Sequence, residues 1–129
     1  MLNKIKERFA GDRFALHTGI EILEAEAGRA LCRLQLQPHH LYANNTPMGG
    51  AIFTLADLAF AVAANAGSAK DVVSQQMSIS YLAPAKGTVL FAEAKRIRHG
   101  RRTCLYEVTV KDDLGTLVAH VTGNGFSVD

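Results

Sequence analysis

The sequence lacks most of the features that would assign it to a specialised class of protein. Its 14 basic and 12 acidic residues leave a formal net charge of only +2, which argues against bulk nucleic-acid binding. It has no low-complexity run and no repeat of fixed period. No signal peptide or transit segment is evident, so we expect a cytoplasmic protein. The 129 residues are enough for one domain, and we expect residues 1–129 to form it.

Cysteine and histidine are too sparse to predict a metal centre. Cys32 and Cys104 are the only cysteines, and they are 72 positions apart. His39 and His40 are adjacent in a polar loop, where we expect solvated side chains rather than ligands. No Cys-x-x-Cys or His-x-x-x-His motif accompanies them. The pattern therefore predicts two reduced thiols in the core and no metal site.

One long apolar stretch dominates the chain, and it predicts a central helix over residues 48–67. Residues 51–66 are alanine and large apolar residues, interrupted only by Thr54, Asp57 and Asn65. Such residues favour helix, and a helix that is apolar on every face is buried or spans a membrane. About 17 residues is short for a bilayer span, and Asp57 lies near the middle. We therefore expect a buried helix and no membrane partner, with Asn65 and Gly67 as a left-handed stop.

A carboxylate inside such a helix is the most informative feature of the sequence. Burying an unpaired charge costs several kcal/mol, so Asp57 is either functional or satisfied by Ser74 or by the backbone. Gly49 and Gly50 mark the entry to the helix, where free N–H groups face whatever lies beyond. The two glycines could instead form only a tight turn.

The remaining chain reads as one short helix and six strands. Leu2, Ile5 and Phe9 have helical spacing, so residues 1–13 are expected to form an N-terminal helix and linker that packs across a sheet edge. Three turns in the second half favour three hairpins and antiparallel pairing. Gly123 and Gly125 suggest a bend or bulge in the last strand. The predicted strands span 14–26, 32–37, 72–82, 89–98, 104–111 and 116–128.

Four motifs give the chain a family resemblance. Residues 49–61 read Gly-Gly-Ala-Ile-Phe-Thr-Leu-Ala-Asp-Leu-Ala-Phe-Ala, which resembles the central helix of hotdog-fold acyl-CoA thioesterases, in the branch that contains the phenylacetyl-CoA thioesterases. Leu-Ala-Pro-Ala at 82–85, Gly-Arg-Arg-Thr at 100–103 and Gly-Thr-Leu-Val-Ala at 115–119 agree in order. The resemblance covers residues 14–128. It implies an α+β hotdog fold, in which a six-stranded antiparallel sheet wraps around the central long helix.

The resemblance also implies a site shared between subunits. Asp57 stands where the family has its catalytic carboxylate, which acts as nucleophile or as general base on water. Gly49 stands where a backbone N–H polarises the thioester carbonyl, and Ser74 matches a hydroxyl position opposite the carboxylate. The implied partner is the chain itself, as a homodimer or a dimer of dimers, and CoA enters only as part of the substrate.

The chain departs from the family pattern at two positions. The usual histidine before the two glycines is Met48, and the asparagine expected six positions earlier falls on Tyr42. Asn44 or Asn45 could reach the site only if the loop is shifted. Met48 is flexible and apolar, so it could line the acyl pocket.

Spacing and charge add two expectations about substrate binding. Asp57 follows Gly50 by seven residues, so the two lie about 10 Å apart along a helix axis, too far to meet at one thioester carbon within a subunit. Glycine at position 50 lets a substrate approach the backbone closely. Arg98, Arg101 and Arg102 lie in a basic hairpin that either holds the phosphates of CoA or is simply solvated.

The most specific interpretation is a thioesterase that hydrolyses an acyl-CoA. Three alternatives remain open at this point. The first is a hotdog protein that binds acyl-CoA or acyl-carrier protein as a sensor without hydrolysing it. The second is an acyl dehydratase of the same fold, which would need a histidine paired with the acid. The third is a purely structural dimer.

Overall fold

The computed structural model describes residues 1–128, and its elements follow a simple order. Two short helices precede two strands, the long helix follows, and four strands complete the chain. Three-residue 3-10 turns lie at Phe9–Gly11 and Pro38–His40. The helices are α1 (Leu2–Arg8), α2 (Arg13–Thr18) and α3 (Gly49–Asn65), and the strands are β1 (Ile20–Glu26), β2 (Arg29–Gln35), β3 (Asp71–Tyr81), β4 (Val89–His99), β5 (Thr103–Asp112) and β6 (Leu117–Val128).

The six strands form one antiparallel sheet around α3. Their order is β1-β2-β4-β5-β6-β3, so β1 and β3 are the edge strands. Helix α3 packs against β2, β4 and β5 in the middle of the sheet and reaches β3 at the edge. Helix α1 packs on β1, as its amphipathic pattern predicts. The α+β hotdog architecture predicted from the sequence is confirmed.

Strict alternation in the central strands builds the core. In β2, residues at 30, 32 and 34 are buried while their neighbours are half-exposed. Strands β4 and β5 alternate in the same way, and their buried residues face α3. Cys32 and Cys104 are both buried and unpaired, as predicted. Burial raises the pKa of the Cys32 thiol to about 12, so it remains protonated at neutral pH.

The first predicted strand begins too early. Residues 13–18 form α2, and the strand starts only at Ile20. Gly19, with φ of +100°, ends the helix in the left-handed conformation that glycine adopts without strain. Phe14 and Leu16 have the spacing of a strand, but both side chains are exposed. The spacing of these two apolar residues therefore does not reflect the buried face of a strand.

The first of the three predicted hairpins is also wrong. Strand β3 pairs with β6, not with the β4 that follows it, so the connection between them crosses over the sheet. Turn residues near Gly87 suggested a hairpin, but the N–H groups of Lys86 and Gly87 donate instead to the Asp112 carboxylate, at 2.8 and 2.9 Å. The crossover leaves β3 at the edge of the sheet. The later hairpins β4–β5 and β5–β6 are confirmed.

A bulge lies beside the glycines of β6. The register between β3 and β6 shifts between Ser74 and Gln76, so the extra residue is on β3, opposite the predicted position. A Cβ on Gly125 would lie 2.9 Å from the Val73 carbonyl oxygen, closer than real side chains approach. Glycine there lets the two strands pack together at the irregularity.

The end of α3 is fixed by a side chain as well as by a turn. Gly67 is left-handed with φ of +72°, as predicted, but Asn65 is the last helical residue and is not left-handed. The Asn65 amide accepts from the Val72 N–H at 2.8 Å and donates to the Ala61 carbonyl at 2.8 Å. It thereby joins α3 to β3. None of the helices in residues 1–128 is long and apolar enough to cross a bilayer.

Candidate active site

Asp57 lies half-buried in a cleft between α2 and α3. The cleft has a volume of about 310 Å³, and we call it the Asp57 cleft; it is lined by residues 12–15, Thr54, Asp57, Leu58 and Ala61. Burial, and secondarily the nearby Asp12 carboxylate, raise the pKa of Asp57. Within residues 1–128 the Asp57 carboxylate has no hydrogen-bond partner and no salt bridge. Neither Ser74 nor the backbone donates a hydrogen bond to this carboxylate. A purely structural role therefore does not explain its burial within one protomer.

Gly49 lies in a second cleft at the start of α3. This helix-start cleft has a volume of about 390 Å³ and is lined by Tyr42, Thr46, Pro47, Gly49, Ile52 and residues 81–85. No side chain caps the helix. The first N–H groups of a helix have no partner inside it, so those of Gly49 and Gly50 are available to a ligand. The helix dipole favours negative charge at this end.

The two clefts are separate in one protomer. Gly49 and Asp57 are eight residues apart on α3, or about 12 Å along the axis at roughly 1.5 Å per residue. The two clefts have no lining residue in common. One protomer therefore does not bring the helix start and the carboxylate to a single reacting carbon, as the sequence spacing indicates.

The loop before α3 places Tyr42, rather than an asparagine, in the helix-start cleft. The Tyr42 N–H donates to the Thr46 carbonyl at 3.0 Å, and the left-handed Asn45 (φ +60°) turns the chain between them. The Asn44 amide donates to the Tyr42 hydroxyl at 3.2 Å. Asn44, Asn45 and the exposed Met48 line neither cleft, so a role for them in substrate binding stays a prediction.

His40 is buried, contrary to the expectation of solvated loop histidines, whereas His39 is exposed. The His40 Nδ1 accepts from the Gln37 N–H at 2.9 Å, which leaves the proton on Nε2. Nε2 then donates to the Thr18 carbonyl at 2.7 Å. With both ring nitrogens bonded to backbone, His40 holds the loop on the end of α2. This arrangement does not favour a dehydratase, whose histidine must exchange protons with substrate.

Ser74 lies on the edge strand β3 and is exposed. Val72 is buried, and Met77 and Ile79 pack against the core, so the bulge at Gln75 keeps Ser74 on the sheet face that carries α3. Ser74 lines neither cleft within the protomer. Its position opposite a carboxylate remains a prediction that depends on a second subunit.

The three arginines lie at the tip of the β4–β5 hairpin but do not share one cleft. Arg98 lines a shallow cleft with residues 103–105 and Asn124. Arg101 and Arg102 line another with Lys70 and residues 126–128. Neither cleft contains Gly49 or Asp57. Contact between this basic surface and a substrate at Asp57 therefore stays a prediction.

Sequence reasoning missed two walls of the site. Tyr81 is exposed and lies over Gly49, and its neighbour motif at 82–85 could have placed it there. Helix α2 was missed because Phe14 and Leu16 resemble strand residues. Across the described residues, no three metal-ligating side chains come together.

The architecture and the two clefts define a hotdog protein. The sequence profile of the thioesterase superfamily matches residues 44–119, which is more than half of the chain and includes α3 with Gly49 and Asp57. The chain therefore belongs to the thioesterase superfamily. Within that superfamily it is a homologue of PaaI.

Three relatives show the extent of this likeness. The chain is 28% identical over 121 residues to acyl-coenzyme A thioesterase PaaI of Escherichia coli K12, covering 93% of this chain and 86% of PaaI. The structure of the E. coli PaaI protein matches with a TM-score of 0.90 at 26% identity, over 95% of this chain and 89% of that one.

A mutant of the phenylacetic acid degradation protein PaaI of Thermus thermophilus matches with a TM-score of 0.84 at 31% identity, over 91% of this chain and 100% of that one. A Streptococcus mutans protein bound to acetyl-CoA matches with a TM-score of 0.79 at 27% identity, over 85% of this chain and 89% of that one.

Proposed function

We propose that the protein hydrolyses an acyl-CoA thioester to a free acid and CoA. The observation that carries the proposal is the Asp57 carboxylate, which is half-buried, unpaired within residues 1–128 and open to a cleft. A carboxylate held in this state costs stability and is poorly hydrated, which makes it a better base or nucleophile. The E. coli PaaI and the acetyl-CoA-bound S. mutans protein support the substrate class.

Two routes are open to Asp57. As a nucleophile, its carboxylate oxygen attacks the thioester carbonyl carbon, the C–S bond breaks, CoA leaves as the thiolate, and water hydrolyses the resulting anhydride. As a general base, it takes a proton from a water molecule that attacks the same carbon; the C–S bond then breaks, and the departing CoA thiolate takes up the proton. In both routes negative charge develops on the carbonyl oxygen. The Gly49 N–H at the start of α3 stabilises that charge.

The separation of the two clefts supports a site shared by two protomers. Strand β3 is eleven residues long, is mostly exposed and lies at a sheet edge, where pairing with another copy would satisfy its free backbone groups. In a homodimer, or a dimer of dimers, the helix start of one protomer then approaches the partner's Asp57. Ser74, on the helix side of β3, comes close to the same site.

The basic surface at the β4–β5 tip is proposed to bind the phosphates of CoA. Arg101 and Arg102 are exposed and line one cleft with Lys70, while Arg98 is exposed nearby on β4. Guanidinium groups bind phosphate oxygens through paired N–H donors. Around the helix start, Met48, Gly50 and the loop residues Asn44 and Asn45 are exposed and are proposed to contact the pantetheine or the acyl group.

A panel of acyl-CoA thioesters, assayed by released thiol, tests the function. The parent protein should release thiol from at least one member, and Asp57→Asn should lower kcat by about 100-fold or more, as expected for loss of a positioned acid–base group. Because Asp57 must be ionised, kcat should fall as pH drops through its raised pKa. If the parent hydrolyses no CoA thioester on the panel, the proposal fails.

Acyl-CoA binding without hydrolysis is the second candidate. Met48 at the place of an imidazole favours it, since a thioether positions a thioester less firmly than a histidine does. A binding isotherm for the parent protein, together with an absence of thiol release, would select this candidate. We also propose a cytoplasmic location, because both buried cysteines are free thiols.

A further inference from the structure

Helix α2 exposes two large apolar side chains on either side of a buried alanine. Phe14 is 75% exposed and Leu16 is 54% exposed, whereas Ala15 between them is buried. Single exposed apolar residues are common on protein surfaces. These two differ from such residues because each lines a cleft: Phe14 lines the Asp57 cleft, and Leu16 lines a neighbouring cleft.

The second of these clefts is apolar. We call it the α2 groove; its volume is about 280 Å³, and it lies between α1, α2, β1 and α3. Lys6 and Glu21 also border it, and they are exposed. The surface inside is hydrocarbon, which suits an uncharged apolar ligand. Its apolar lining consists of Phe9, Ala10, Ala15, Leu16, Ile20, Ile22 and Leu58.

The α2 groove adjoins the Asp57 cleft. Ala15 and Leu58 line both of them, and Leu58 is the residue after Asp57 on α3. These two side chains therefore form a boundary that the groove and the Asp57 cleft share. A thioester whose carbonyl carbon lies at Asp57 therefore has an apolar surface within reach of its acyl group.

The wall between the two clefts is firmly held. The Thr18 carbonyl at the end of α2 accepts from His40 Nε2 at 2.7 Å, and the Gly19 N–H donates to the carbonyls of Ala15 and Leu16 at 3.1 and 3.0 Å. These bonds close the last turn of α2 and hold it against the loop that carries His40. A preformed wall of this kind binds an apolar group without a cost in ordering the protein.

We propose that the α2 groove binds the acyl group of the thioester, and that it selects uncharged apolar acyl groups of medium length over acetyl. This inference rests on the proposed function, because it places the reacting carbon at Asp57. Each methylene buried in the groove should improve binding by about fourfold. The selectivity should therefore appear as kcat/KM rising with chain length until the groove is full.

Leu16→Asp tests the proposal, since the side chain is exposed and a charge there should not disturb folding. For octanoyl-CoA, kcat/KM should fall by about tenfold or more, whereas for acetyl-CoA it should stay within about twofold. The matched control is Leu114→Asp, because Leu114 is 68% exposed in the β5–β6 turn and lines no described cleft. This control should leave the chain-length profile unchanged.

Two results would overturn the proposal. One is an equal fall in kcat/KM for octanoyl-CoA and for acetyl-CoA in the Leu16→Asp variant. The other is dissociation of the oligomer with an unchanged chain-length profile, which would show that a second copy of the chain covers α2.

Binding measurements distinguish a failure of the α2-groove proposal from a failure of the proposed hydrolysis. In the Asp57→Asn background, calorimetry should show that Leu16→Asp weakens the binding of octanoyl-CoA by about tenfold and leaves the binding of acetyl-CoA unchanged. If the parent releases no thiol and this binding difference persists, hydrolysis is wrong and the groove is right. If the parent hydrolyses octanoyl-CoA and Leu16→Asp changes neither binding nor rate, the groove is wrong and hydrolysis is right.

Discussion

The Tyr81 hydroxyl donates a hydrogen bond to the carbonyl oxygen of Gly49 at 2.9 Å. This bond joins the end of the edge strand β3 to the first residue of α3. A Cβ on Gly49 would lie 3.0 Å from the Tyr81 Cζ and hydroxyl oxygen, closer than side chains normally approach. Gly49 does not have a positive φ, so the backbone conformation does not require glycine here. The requirement is space beside Tyr81 at the helix start.

We therefore predict that Gly49→Ala lowers kcat/KM by about tenfold or more while the protein stays folded, because Tyr81 must move and the helix start shifts with it. Gly11→Ala is the control, since a Cβ there meets nothing within 4 Å and Gly11 lines no described cleft. Thiol-release kinetics and melting curves of both variants check this. Equal activities for the two variants would mean that the helix start does not contact the reacting carbonyl.

Much of this fold could be predicted because the buried elements follow strict periods. The all-round apolar character of α3 and the alternation in β2 and β5 depend only on which faces are buried. The exposed elements could not be predicted this way. In α2, Phe14 and Leu16 have strand spacing, and their burial depends on neighbours that local sequence does not specify.

The pairing of β3 was also out of reach. Nothing in residues 71–88 indicates that β3 crosses to β6, since the signal is the long-range bonding of Asp112 to the turn at 86–87. The residues of the candidate site also divide into those that local sequence predicts and those that only the tertiary fold brings together. Asp57 can be identified from the sequence because it is a charged residue in an apolar run, and Gly49 because it belongs to a glycine pair. Tyr42, Tyr81 and α2 come to the clefts only through the tertiary fold.

Asp112 should be a major determinant of stability. It is only 3% exposed, and its carboxylate accepts from the N–H groups of Lys86, Gly87, Leu114 and Thr116 at 2.8–3.0 Å. Burial alone would raise its pKa, but these backbone donors outweigh it and hold the pKa of Asp112 well below its usual range. We predict that Asp112→Asn lowers the free energy of unfolding at pH 7 by about 2 kcal/mol.

The stabilisation that Asp112 provides should depend on pH in a definite direction. Because the folded pKa of Asp112 is depressed, its stabilisation is complete above the unfolded value near 3.8 and is lost as pH falls through the folded value. Urea unfolding of the parent and Asp112→Asn should therefore differ most near neutral pH and converge in acid. A constant difference from pH 7 down to the lowest accessible pH would contradict this account.

The arginines at the β4–β5 tip should affect substrate binding more than chemistry. We predict that Arg101→Ala with Arg102→Ala raises KM for acyl-CoA severalfold with little change in kcat, and that added salt raises the parent KM more than the variant's. Lys111→Ala, an exposed cation elsewhere on β5, is the control. A truncated thioester without phosphates should have the same KM with all three proteins. A shift in KM for that substrate would indicate a structural effect.

Asp57→Asn should be more stable than the parent, and increasingly so at higher pH. The folded pKa of Asp57 is raised, so ionisation costs more in the folded state than in the unfolded state. This penalty is absent well below 3.8, grows as pH rises through the folded pKa and is complete above it. The difference in Tm between Asp57→Asn and the parent should follow the same course. A structural carboxylate would give the opposite sign, with the variant less stable at neutral pH.

Subunit mixing should decide whether the active site is shared. Gly49 and Asp57 lie in clefts with no common lining residue, so each variant alone should damage both sites of a symmetric dimer. Mixing Gly49→Ala and Asp57→Asn protomers after mild unfolding and refolding gives heterodimers in about half of the population. In each heterodimer, a shared-site arrangement leaves one of the two sites intact. Activity should therefore recover to about one quarter of the parental value. If each site is formed within one protomer, mixing gives no recovery above the average of the two variants.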